Sequence, residues 1–305
     1  MKKIMLILAA ACMSAATNAK ILRVSNVSGS SAPYSTIEAA HDAARAGDTI
    51  MVDASNTSYT AAYFTNIDLT KRVVVIGPGY DLVQNEIVEE GACGAAVGNF
   101  TIKAEGTVIK GMTLSSITIS APKAIINRCK IGTISFNKGA DNAIISQNYI
   151  TELIMGSNVA FCQVTNNIFA YTISNTYTNI IEELDQSYIA YNTFRSSYVN
   201  MNANNSTIEH NLCIGIRDNG NNNSINNNYD TNIISTQATN DFIDKDYLAL
   251  EIPENVVNTY GAFAGDSPYI LSGIPSGPVI QDLVVPTTVE RGSKLNVTVK
   301  IGMVK

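Results

Sequence analysis

Basic charge and histidine are both scarce in this chain: 20 Lys and Arg stand against 26 Asp and Glu, and two His are spread over 305 residues. The formal net charge is −6. An acidic chain with no Lys/Arg-dense patch cannot displace counterions from phosphates, so nucleic acid is excluded as an expected partner. His41 and His210 lie far apart with no metal-ligand spacing between them. No metal site, cofactor motif or catalytic set is read from the sequence. Long apolar runs are missing too. The one marked run, Ile4 to Met13, is too short to span a bilayer. With Lys2 and Lys3 before it and Thr17-Asn18-Ala19 after it, it has the layout of a secretory signal peptide over residues 1–19. The expectation is an exported protein (periplasm, cell surface or extracellular) with no transmembrane segment. Cys12 after Ala9-Ala10-Ala11 leaves lipid attachment as the alternative. Loss of Lys2 and Lys3 would take the charge from −6 to −8, two positive charges fewer.

What the chain does have is a repeat. Ile109, Ile126, Ile145, Val164, Ile189, Ile208 and Ile225 follow one another at spacings of 17, 19, 19, 25, 19 and 17. Three residues after each come Met112, Cys129, Asn148, Asn167, Asn192, Asn211 and Asn228. Five residues after each come Leu114, Ile131, Ile150, Phe169, Phe194, Cys213 and Asp230. Two residues before each stand Thr107, Ala124, Ala143, Cys162, Ser187, Ser206 and Asn223, all compact. A period of this size means stacked units. Period-two alternation around each aliphatic, a bend, and further short strands such as Ile117-Thr-Ile119 describe a coil of a parallel β-helix. One coil cannot fold alone, because its aliphatics, each contributing roughly 1.5–3 kcal/mol, are covered only by neighbouring coils. Asn at the bend is expected to adopt the left-handed conformation and to pass amide hydrogen bonds from coil to coil. Cys93, Cys129, Cys162 and Cys213 remain after the signal; Cys129, Cys162 and Cys213 fall in different columns, so the thiols read as buried apolar residues rather than disulfides.

The predicted fold is all-β: a right-handed parallel β-helix of about eight to ten coils over residues 20–277. Ser35-Thr-Ile-Glu38 has the form of a capping box and opens a helix over 35–46 that would plug the N-terminal mouth, with Ile37, Ala40 and Ala44 inward and His41 packed beside them. Asp266 to Gly273 reads as a closing segment. Residues 278–305 alternate apolar and polar around Glu290-Arg-Gly292 and predict a β-ribbon, marginal by itself.

These residues together resemble the pectin-lyase-like right-handed parallel β-helix superfamily. The likeness rests on Tyr34 to Ala40, Ala46 to Ile50, and the aliphatic-x-x-Asn-x-apolar coils. Val75-Ile-Gly-Pro-Gly-Tyr80 and Ser267 to Gly273 look more narrowly like secreted β-helix proteins of Bacteroidetes, many with no assigned activity. The resemblance implies contact with polysaccharide, often acidic. The Gly-His-Gly and Arg-His segments of its hydrolases and lyases do not occur here; His210 sits in Glu209-His-Asn.

Three candidate sites follow. The position two after each aliphatic is expected to face outward, giving a row of Arg128, Gln147, Asn166, Tyr191, His210 and Asn227 spaced about 4.8 Å per coil. Its amides, guanidinium and aromatic face suit a polysaccharide or a cell-surface protein, and Arg217, Asp218 and Tyr198 would extend it. Glu182, Glu183 and Asp185, on what reads as a projecting loop in the longest repeat, are the best carboxylates for glycoside cleavage. Asp241, Asp244 and Asp246 offer oxygen ligands but no complete calcium pattern. The leading expectation is a non-catalytic binding protein. The alternatives are a polysaccharide lyase or glycoside hydrolase, and an assembly protein that uses its terminal ribbon.

Overall fold

The computed structural model describes residues 19–60, 65–84, 94–170, 179–195, 199–213, 215–230, 254–275, 277–284, 294 and 297–304. Residues 1–18 of the signal segment, Cys93, Tyr198, Asp241, Asp244 and Asp246 lie outside them.

The repeat folds as a parallel β-helix. Its first face is a ten-stranded parallel sheet built from Ile21–Val24, Thr49–Val52, Val74–Ile76, Val108–Lys110, Ile125–Asn127, Ile144–Ser146, Gln163–Thr165, Tyr188–Ala190, Thr207–Glu209 and Ser224–Asn226. Ile109, Ile126, Ile145, Val164, Ile189, Ile208 and Ile225 stand opposite one another on successive rungs. The column continues backwards through Val75, Ile50 and Leu22, where longer connections hide the period in the sequence. From Ile109 to Ile208 these side chains have no exposed surface, while Ile225, on the last described rung, is 38% exposed. Each rung therefore depends on the next for cover.

A 13-stranded sheet makes the second and third faces. In Ala96–Ile102, Thr113–Ile119 and Lys130–Phe136 one continuous strand serves both faces. Beyond them it divides into Tyr149–Ile150 and Ile154–Ala160. The reason is local: Gly132-Thr133 separates Ile131 from Ile134, whereas Thr151-Glu-Leu153 adds one residue between Ile150 and Ile154 and opens a bend. Leu114, Ile131, Ile150, Phe169 and Phe194 align inside, and the last two rings stack at 4.6 Å.

The Asn column forms a ladder, but the left-handed residue is not the Asn of that column, which corrects the expected bend. Positive φ falls one residue earlier, at Arg128, Gln147, Asn166, Tyr191, His210 and Asn227, and again three residues before each aliphatic, at Lys123, Asn142, Phe161, Gln186, Asn205 and Asn222. Each short first-face strand thus lies between two left-handed corners. The Asn after the second corner turns its amide into the tube. Asn167 Oδ1 accepts from the Asn148 N–H at 2.9 Å, and Asn167 Nδ2 donates to the Ile145 carbonyl at 2.8 Å. The same pair of bonds recurs at Asn148, Asn192, Asn211 and Asn228. A shorter ladder runs Cys162, Ser187, Ser206, Asn223, each backbone N–H donating to the next side-chain oxygen.

Helix α1 covers Ile37–Ala43 and packs against the first strands, with Ile37, Ala40 and His41 buried. Its N-cap is Thr36 rather than Ser35, its hydroxyl accepting from the Ala39 N–H, and it stops short of Gly47. His41 Nε2 accepts from the Lys71 N–H at 3.3 Å. Cys129, Cys162 and Cys213 are buried. Burial pushes the Cys129 thiol up to about 12 and Cys162 to about 11. Gly277–Val284 pairs antiparallel with Thr298–Val304 as a two-stranded ribbon.

Candidate functional site

The expected outward row is occupied by the chain itself. Residues 254–275, beginning with helix α2 (Glu254–Val257), form a strap that descends the corner against the direction of stacking. The Gly261 N–H donates to the His210 carbonyl at 2.8 Å. Asn166 Nδ2 donates to the Ala262 and Ala264 carbonyls at 3.1 and 2.7 Å, and Gln147 Nε2 to Pro268 O at 2.6 Å. Lower down, Arg128 Nη1 donates to Ile274 O at 2.9 Å. Arg128, Gln147 and Asn166 are accordingly buried, at 7%, 7% and 4% exposure, where solvent contact was expected. Tyr191 and His210 stack at 4.9 Å, and Tyr260 of the strap follows at 6.1 Å from the His210 ring. Asn227 alone of the row is exposed.

A neighbouring column carried the signal for this strap. Four residues after each aliphatic stand Thr113, Lys130, Tyr149, Ile168, Thr193, Leu212 and Tyr229, outward on the second face. Tyr149 and Ile168 pack with Tyr80, Ala262 and Tyr269; Leu212 packs with Val256, Val257 and Tyr260. Outward apolar residues on successive rungs require a cover. Tyr80 and Tyr269 are hydrogen-bonded through their hydroxyls inside this second core, and burial pushes both phenols well up from the usual range.

Where that column turns polar, at Thr113 and Lys130, a groove of about 490 Å³ opens. Ser58, Thr60, Thr113, Ser115, Thr151 and Glu152 supply its polar walls. Its floor is backbone: a Cβ on Gly132 would lie 2.2 Å from the Ser115 carbonyl, so no side chain fits there. A recess of about 230 Å³ lined by Ser55, Asn56, Asp81 and Gly94 adjoins it, sharing Ser58, Ala96 and Thr113. Lys130 Nζ bridges the two, 2.6 Å from Asp81 Oδ2 and 5.9 Å from the Tyr149 ring centroid. Glu152 accepts from the Thr133 hydroxyl. One ammonium and two carboxylates leave this surface with one formal negative charge. The arrangement can donate and accept hydrogen bonds in alternation, which suits a polyhydroxylated ligand. It was missed in the sequence because Asp81 and Lys130 come from segments 49 residues apart.

The remaining candidates do not converge on it. Arg217 and Asp218 are exposed on the last described third-face strand, Ile216–Asp218, and do not prolong the corner row. Asp218 accepts from the Gly220 N–H and from Asn223 Nδ2. Glu182, Glu183 and Asp185 belong to the strand Asn179–Asp185, not to a projecting loop. Glu182 accepts from Asn179, and Asp185 from Asn205 and Gln186, which hold its carboxyl below the usual range. Among the described residues no group of three or more His, Cys, Asp or Glu is placed to hold a metal ion, and no helix is long and apolar enough to cross a membrane. Against known proteins, no family model, no curated protein and no solved structure matches the chain.

Proposed function

We propose that this is an exported, non-catalytic protein that binds neutral polysaccharide in the groove between Thr60 and Glu152. The observation that carries the reading is the wall chemistry: five hydroxyl side chains, a paired Lys130–Asp81 and the Glu152 carboxylate around a backbone floor. A net negative surface on an acidic chain disfavours a polyanion, whereas sugar hydroxyls find both donors and acceptors. The signal-like residues 1–19 support export, and the likeness to pectin-lyase-like proteins supports a carbohydrate partner. A second reading has one observation in its favour. Two carboxylates beside one groove are what glycoside cleavage requires, so the groove could be hydrolytic.

Thr113→Arg tests both. Thr113 is half-buried and outward, so the longer side chain fills the groove without entering the core. Affinity gels containing neutral polymers should retard the parent and release this variant by at least about tenfold, in line with loss of roughly 1.4 kcal/mol or more. Equal retardation of both proteins refutes the groove as the site. New reducing ends in the same incubations, abolished by Glu152→Gln, would replace binding with hydrolysis.

A further inference from the structure

We infer that a second sugar-binding site lies on the opposite corner of the stack, built around Phe161, and that it takes an uncharged pyranose chain by stacking. Phe161 has φ 59 and is 55% exposed. Left-handed backbone at a bulky residue is unfavourable, and exposure means that the ring recovers nothing by burial. The other non-glycine residues at the same corner position are Lys123, Asn142, Gln186, Asn205 and Asn222, all polar. An exposed aromatic ring at this one rung has no structural account, and unfavourable backbone retained without structural return points to function.

The surroundings identify the ligand class. Phe161, Gln186 and Asn205 follow one another along the corner, and Gln163, Tyr188 and Thr207 are in register beside them on the first face. Together they line an open groove of about 480 Å³. Phe161, Gln163, Gln186 and Asn205 are exposed; Tyr188 and Thr207 are half-buried. No lining side chain is ionised at neutral pH: burial first, and then its hydrogen bond to Glu209, push the Tyr188 phenol up to about 12. A ring face with amides and hydroxyls spaced by the rung repeat matches a pyranose, whose C–H face stacks on an aromatic while its rim hydroxyls bond to amides. A polyanion would find no cation here. Two sites on one rigid stack would raise retention by avidity. This site does not rest on the groove at Lys130, since it involves none of the same residues.

The experiment uses the full chain carrying Thr113→Arg, so that only the Phe161 site can act. Affinity gels containing a soluble β-glucan, a xylan, a mannan or polygalacturonate are compared with and without Phe161→Asn. The expected result is retardation by at least one neutral polymer, weakened at least tenfold by Phe161→Asn. A rise in the thermal midpoint should accompany that loss, because Asn tolerates the left-handed corner. Retention of the Thr113→Arg chain by none of the neutral polymers, retention indifferent to Phe161→Asn, or a preference for polygalacturonate would each overturn the inference. Failure of the Lys130 groove would show separately, as no difference between the parent and Thr113→Arg.

Discussion

Replacing Asn167 by Ala tests how the stack is held together. The Asn167 side chain has no exposed surface and makes four hydrogen bonds. Its Oδ1 accepts from the N–H and the amide of Asn148 at 2.9 and 3.0 Å, and its Nδ2 donates to Ile145 O and Asn192 Oδ1 at 2.8 and 3.0 Å. Asn148 Nδ2 keeps a second acceptor in Ile126 O, and Asn192 Oδ1 keeps the Asn167 N–H. The Ile145 carbonyl keeps the ladder bond that its parallel register with Gln163–Thr165 provides, so the truncation strands one group, the buried Asn148 N–H. At about 1–3 kcal/mol for a buried group left unpaired, Asn167→Ala should destabilise by about 1–3 kcal/mol. Asn228→Ala removes the same kind of partner at a half-buried end, where water can substitute, and should cost less than half as much. Asn226→Ala, which removes an exposed amide donating to the Ser224 hydroxyl, should stay within about 0.5 kcal/mol of the parent. Urea unfolding with unchanged m-values gives the ranking, and hydrogen exchange at Asn148 locates the loss. If Asn167→Ala unfolds at the same midpoint as Asn226→Ala, the ladder contributes nothing and the account of the corner fails.

Two further outcomes follow from the geometry. Gly261 has φ 79, and a Cβ there would sit 2.6 Å from Thr193 Oγ1 and 2.9 Å from Leu212 Cβ, so Gly261→Val should lift the strap. Faster proteolysis within 254–275, with the far-ultraviolet circular dichroism of the coils retained, is the expected pattern; parent-like protease resistance contradicts the close approach. Burial, and then the Lys71 ammonium, hold His41 below its ordinary 6.5, with Asp42 opposing weakly. For a base depressed in the folded state, stability is full above the unfolded value and is lost as pH falls through the folded one. Urea midpoints should therefore drop between pH 7 and 5.5, and His41→Gln should flatten that slope; an identical slope in both proteins would show that His41 is not the responsible group.

The repeat was legible because it obeys a local rule. An aliphatic with a compact residue two before it recurs at each rung from Ile109 on, joined from Ile145 on by an Asn three after it. Stacking then dictates that like residues meet, as Ile145, Val164 and Ile189 do. The three earliest rungs, at Leu22, Ile50 and Val75, do not show in the repeat, because the connections between them are longer and Ser25, Asp53 and Pro78 stand where later rungs carry Asn. The left-handed position was misplaced by one residue, since Asn favours that conformation in isolation but here its amide is needed inside the tube. Glu182, Glu183 and Asp185 suggest a solvated loop by their charge, yet Ile180, Ile181 and Leu184 anchor them in a strand.

By itself, then, the sequence determined the coil, its period and its interior, because those depend on neighbours one repeat away. Which outer surface stays open was decided by tertiary structure. The strap returns from residues 254–275 to cover Arg128, Gln147 and Asn166, and Asp81 meets Lys130 across the stack. No periodicity reports such pairings, since they join segments of unrelated sequence whose only relation is that folding brings them together.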